Sequence, residues 1–143
     1  MSYINAMGIA RYEKRVIAWI LDKILSWAFG IAILVILLHF GAMDRSIFLC
    51  FLVSILLSYG CYIVVNGASL HLTQSHSFGM WIMRIKMVHP DGGRLSFYEC
   101  YLKSIMGGLL PFAMVNAAFM LTNHTERSAF DRLSETVMVD PHR

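Results

Sequence analysis

Apolar and polar positions divide the chain into two long apolar runs, a mixed middle section and a third, interrupted apolar stretch. The first run extends from about Val16 to Phe40 and the second from about Ile47 to Leu70. No Asp, Glu, Lys or Arg occurs from Ser46 to Met83, and again none from Ser104 to Thr125. A bilayer is crossed by roughly 20 apolar residues in a helix, so both long runs are expected to be spans. Gly41-Ala-Met-Asp-Arg-Ser46 is too short a link for anything but antiparallel neighbours, and its lack of net charge suits the outer side. Ser54 and Ser58 form a small-xxx-small pair that permits close helix contact, and Asn66 lies deep in the second run, where a hydrogen bond to a neighbouring helix is expected.

Between residues 77 and 103 the period changes. Met83-Arg-Ile-Lys-Met87 alternates apolar and charged, the pattern of a half-buried strand. His89-Pro-Asp-Gly-Gly93 is turn chemistry, with Pro fixing φ and Gly supplying positive φ. With Arg94-Leu-Ser-Phe97 as return arm, this predicts a short hairpin at the membrane surface, with Trp81 and methionines facing lipid or helix ends. The third stretch, 104–122, contains Gly107-Gly108 and Pro111, and a proline inside a span breaks or kinks it. Either a kinked crossing, leaving the C-terminus outside, or a re-entrant helical hairpin fits. The tail carries a strand-like Thr136-Val-Met-Val139. The expected fold is an all-α membrane bundle with a small interfacial β-hairpin, one domain over 1–143.

Composition supports this: 57% of the 143 residues are hydrophobic and 15% charged, with mean hydropathy +0.60. The net charge of +3 is small and scattered, so nucleic acid is not an expected partner. Cys50, Cys61 and Cys100 are too dispersed for a disulfide framework or a metal site. The six histidines lack metal-ligand spacing and no nucleophile or nucleotide-loop motif occurs, so neither an enzyme nor a cofactor is expected. Asn123-His-Thr125 matches a glycosylation sequon at the membrane edge, read as chance. The first apolar run is too long for a cleaved signal. Arg11, Lys14 and Arg15 against Glu13 favour a cytoplasmic N-terminus in a bacterial plasma membrane, and the middle section adds more cations on that side. Of these, Arg84, Lys86 and Arg94 are candidates for anionic headgroup contact.

The chemistry concentrates in Arg15-Val-Ile-Ala-Trp-Ile-Leu-Asp22. Seven residues at ~1.5 Å each place Asp22 about 10 Å below Arg15 on the same helix face. A carboxylate there costs several kcal/mol, on the order of 3, unless it is paired or hydrated, so Asp22 should face protein or a polar cavity.

These residues resemble the RDD family of bacterial membrane proteins, named for one arginine and two aspartates. Arg15 and Asp22 match its first signature. Ser77-Phe-Gly-Met-Trp-Ile-Met-Arg-Ile-Lys-Met-Val-His-Pro-Asp-Gly-Gly-Arg-Leu-Ser96 matches a Gly-containing loop leading into "gikVv..dG..ls". Phe130-Asp-Arg-Leu-Ser-Glu-Thr-Val-Met-Val139 matches a "hDrlagT.Vv" ending, which makes Asp131 the second aspartate. The chain departs from the pattern at Met80, where a lysine is usual, at Lys103, where arginine is common, and at Glu135, in place of a glycine. The resemblance implies a charged set of Arg15, Asp22 and Asp131; Asn66, Arg132 and Lys103 are candidate supporting polar residues. Three roles remain open for that set: an ionic latch between helix one and the tail, proton or cation transport through Asp22, or a non-catalytic accessory that binds another membrane protein such as a peptidase, secretion component or toxin. A chain this small is expected to work in the bilayer as a homo-oligomer or with a membrane-protein partner.

Overall fold

The structure, a computed structural model, describes residues 8–41, 46–123 and 129–141. The charges of the 41–46 link and most of the sequon lie outside the described residues. Two long helices, α1 (Tyr12–His39) and α2 (Ile47–Thr73), pack side by side and match the two predicted spans. Each buries one face, a row at every fourth position made mostly of small or polar residues. On α1 it is Ala18, Asp22, Ser26 and Gly30; on α2 it is Ser54, Ser58, Tyr62, Asn66 and Leu70. Rows spaced by four are the helix ridges along which small residues let two backbones approach. At Gly30 a Cβ would overlap Ser58 Oγ and lie 2.8 Å from the Ser58 nitrogen, so the seam closes only around glycine.

The outward faces are apolar. Ile24, Val35, Phe40, Phe51, Leu56 and Val64 are each more than half exposed. This reverses the pattern of helices in soluble proteins, whose apolar stripe faces inward. Both helices are long and apolar enough to cross a membrane.

At one end of the helix pair sits a cap. The short helix α3 (Phe78–Ile82) leads into β2 (Lys86–Val88), then α4 (Phe97–Gly108), α5 (Leu110–Asn123), α6 (Ala129–Leu133) and β3 (Val137–Asp140). The predicted hairpin is not formed. β2 pairs antiparallel with β3, Met87 opposite Met138, and β3 pairs on its other edge with β1 (Gly8–Ile9), giving a sheet of order β1-β3-β2. Alternation in 83–87 does place Ile85 and Met87 in the core, fully buried, but a strand period does not name a partner. The turn is present, with Gly92 at φ +75° and its N–H donating to the His89 carbonyl at 3.0 Å. The arm after the turn starts a helix instead of a strand. Ser96 accepts from the Glu99 N–H while Glu99 accepts from the Ser96 N–H, a reciprocal cap. The fold is therefore mostly helical with a small sheet assembled from both ends and the middle of the chain, not an all-α bundle with a local hairpin. Met87 lies with Ala10, Ala18, Leu70, Ile85, Leu95 and Cys100 in the compact core of the cap.

The third apolar stretch breaks where Gly and Pro predict. α4 ends at Leu109 in an extended conformation, and Pro111 falls in the first turn of α5, where its missing N–H is not needed. Twelve and fourteen residues give helices of about 18 and 21 Å, each short of a ~30 Å hydrocarbon core. Asp131 then lies back beside Lys103 and Arg15, and β3 beside β1. The residues flanking the stretch, Lys103 before it and Asp131 after it, thus lie at the same end of the helix pair.

Candidate functional site

Arg15, on the first turns of α1, points at the tail. Its Nη1 donates to Asp131 Oδ2 at 3.0 Å and its Nη2 to the Met138 carbonyl at 3.3 Å. Lys103 of α4 pairs with the other oxygen, Asp131 Oδ1, and donates to Thr136 Oγ1 at 3.3 Å. Ser134 and Thr136 hydroxyls are 2.8 Å apart, and the Thr136 N–H closes on the Asp131 carbonyl at 2.9 Å. Asp131 is 1% exposed and bridges two cations from different helices. Removing the carboxylate would strand two buried cations, a defect worth about 3–5 kcal/mol. The family's usual arginine at 103 is replaced by a residue that serves the same carboxylate.

Asp22 is equally buried but is not part of that cluster. Its Oδ2 accepts from Ser77 Oγ and its Oδ1 from the Gly79 N–H, both at 2.6 Å, across the start of α3. Ser77 also caps α3 by accepting from the Met80 N–H. Gly79 sits so close to α1 that a Cβ would overlap the Ala18 carbonyl oxygen. The glycine of the loop motif is thus required by close approach, and Asp22 is the anchor that holds the loop there. No cation pairs with Asp22 among the described residues.

Arg15, Asp22, Asn66, Lys103 and Asp131 nonetheless line one half-open cavity of about 330 Å³ between α1, α2, α4 and α5. Met80 lines it too, so the lysine usual at that position would project a cation into the same space. Asn66, buried on α2, lines the cavity beside Tyr62, one turn back on its own helix. Arg132 faces elsewhere, exposed and stacked over Phe119 with 5.5 Å from its guanidinium to the ring centroid. Of the three candidate headgroup contacts, Arg84 and Lys86 line a surface groove with His76 and Trp81, while Arg94 is exposed outside it.

Several side chains that complete the site were not expected there from the sequence, which offered Trp19 only as an interface or packing aromatic and Lys14 only as a topology signal. Breaking α4 at Gly108 frees its last carbonyls. Trp19 Nε1 donates to the Gly107 carbonyl at 2.8 Å, and Lys23 Nζ donates to that of Gly108. The Lys23 ammonium also lies 4.1 Å from the Tyr62 ring centroid, a cation–π contact at the negative end of α4. A lysine two turns inside an apolar run was a visible signal; its partner, 85 residues away, was not. Lys14 pairs with Asp140 at 2.5 Å, a second tie between α1 and the tail strand. Among the described residues no cluster of His, Cys, Asp and Glu is arranged to hold a metal ion.

No curated protein and no solved structure matches the chain. A protein-family model does, over residues 9–135, from the strand before α1 to the turn after Asp131, and on that match the chain belongs to the RDD family.

Proposed function

We propose that the protein is a small multi-pass membrane protein that binds a proton or a monovalent cation at Asp22, within this cavity, and passes it across the membrane as part of an oligomer. The observation that carries this reading is the setting of Asp22. Its carboxylate lines the cavity and is held by two neutral donors, Ser77 Oγ and the Gly79 N–H. Intramembrane carboxylates without a fixed counter-ion are the groups at which pumps and exchangers load protons and cations. Asp131, with one cation on each oxygen, is closed by comparison. The clustering of Arg11, Lys14 and Arg15 with Arg84, Lys86 and Arg94 toward the cap supports a cytoplasmic position for that end in a bacterial plasma membrane.

The test is flux. Purified protein in sealed vesicles should dissipate an imposed proton or sodium gradient, and Asp22→Asn should abolish the movement while leaving detergent thermal unfolding within a few degrees of the parent. A wild-type protein that moves neither ion overturns the transport reading. A second reading has its own support: the Arg15–Asp131–Lys103 cluster engages both carboxylate oxygens and ties the tail to α1 and α4, which suits a rigid accessory. That role predicts silent vesicles and one specific membrane protein retained through purification in mild detergent.

A further inference from the structure

The second turn of α1 fixes where α3 lies. Gly79 rests on the Ala18 carbonyl and Asp22 holds the N-terminus of α3, so this short helix is docked just inside the start of the span. Its other face carries Phe78, Trp81 and Ile82, which are 43%, 68% and 44% exposed. That is the level at which tryptophan concentrates in membrane proteins. After α3 the backbone reverses, with the Arg84 N–H donating to the Trp81 carbonyl at 3.2 Å and Arg84 itself at φ +56°. The reversal brings the next residues back along α3. Because Ile85 and Met87 point into the core, Lys86 between them points out. Arg84 and Lys86 thereby border a groove with His76, Trp81, Ile82 and Pro141, and among the described residues no carboxylate lines it. Burial and the nearby Lys86 hold His76 below its ordinary pKa, so near neutrality the positive charge there comes from Arg84 and Lys86.

We propose that this groove is a binding site for an anionic phospholipid, its phosphate held by Arg84 and Lys86 and its acyl chains lying along Trp81 and Ile82. The inference rests on the protein residing in a membrane, but not on transport. Cations with apolar stems beside an exposed tryptophan match both halves of a phospholipid, whereas a soluble phosphate would use only the charged half. The apolar residues beside the cations therefore favour lipid over a free anion.

Full-length protein reconstituted into nanodiscs of equal phosphatidylglycerol and phosphatidylcholine, then released into detergent, can be weighed with its retained lipid by native mass spectrometry. At about 1 kcal/mol per surface cation, two cations correspond to a preference for phosphatidylglycerol on the order of 30-fold. R84Q and K86Q should each lose roughly fivefold of it, and the double variant nearly all, while R94Q keeps it. W81S should weaken retention of both lipids without changing the charge preference, which guards against a misfolded double variant. An unaltered preference in R84Q/K86Q overturns the inference. So does displacement of the lipid by millimolar inorganic phosphate, which would mark an anion site only. A protein that does not insert into the nanodiscs overturns the membrane reading as well; one that inserts and retains neither lipid overturns this inference alone.

Discussion

Glu135 sits at φ +49°, in the left-handed region that costs a residue with a side chain about 1 kcal/mol or more. It forms the corner between α6 and β3, where its N–H donates to the Arg132 carbonyl and the chain turns to bring Thr136 under Lys103. The family's glycine at this position meets that geometry without strain, and glutamate here does not. Glu135→Gly should accordingly raise stability by about 0.5–1 kcal/mol, read as an upward shift of thermal unfolding in detergent. The position was legible as a departure from the family pattern. Its cost was not, because φ is a property of the folded corner. Asp22 shows the same limit: its depth followed from helix rise alone, but its donors Ser77 and Gly79 lie 55 and 57 residues away.

Among the elements, the broken pair α4 and α5 depends on α1 for its integrity. Backbone groups freed inside a membrane must find partners in protein or in a water-lined space. Trp19 and Lys23 supply them, one turn apart on α1. Lys23→Met would leave the Gly108 carbonyl without its side-chain donor and remove the contact with Tyr62, at a cost of about 1–3 kcal/mol. Hydrogen exchange should then quicken at amides 105–113, while the seam of α1 with α2 from Ser26 to Gly30 keeps its protection. Equal loosening of both would show that Lys23 supports the whole bundle rather than the break. Gly107, Gly108 and Pro111 announced the interruption. Its direction was undecided by sequence, since a kinked crossing and a re-entrant pair share the same local chemistry.

At the scale of the molecule, the tail strand is the closure. β1 and β2 do not pair with each other; each pairs with β3, and Lys14–Asp140 and Arg15 to the Met138 carbonyl add side-chain ties. Deleting residues 137–143 should therefore dissolve the whole sheet and expose the cap core beneath it. Cys100, fully buried there, is the reporter: maleimide labelling in mild detergent should be slow in the full chain and about tenfold faster after the deletion, by the loss of protection that local opening brings. Unchanged labelling would mean that α3 and α4 cover Cys100 without the sheet.

Hydrophobic periodicity with the Gly and Pro positions determined the two long helices to within a few residues, the break in the third stretch, the turn at Gly92 and strand character near 83–87, where 86–88 forms, and at 137–139. Each is a local property, set by side-chain period or by the φ that proline and glycine allow. Of the every-fourth-residue rows, Ser54 and Ser58 were legible as a small-xxx-small pair; Gly30 opposite Ser58 was not. Only the tertiary structure decided the partners: β2 with β3 rather than with 94–97, Asp131 with both Arg15 and Lys103, and Asp22 with the loop before α3. Partner choice is a contest between contacts far apart in the chain, settled by which apolar faces bury together and which charges that burial leaves side by side.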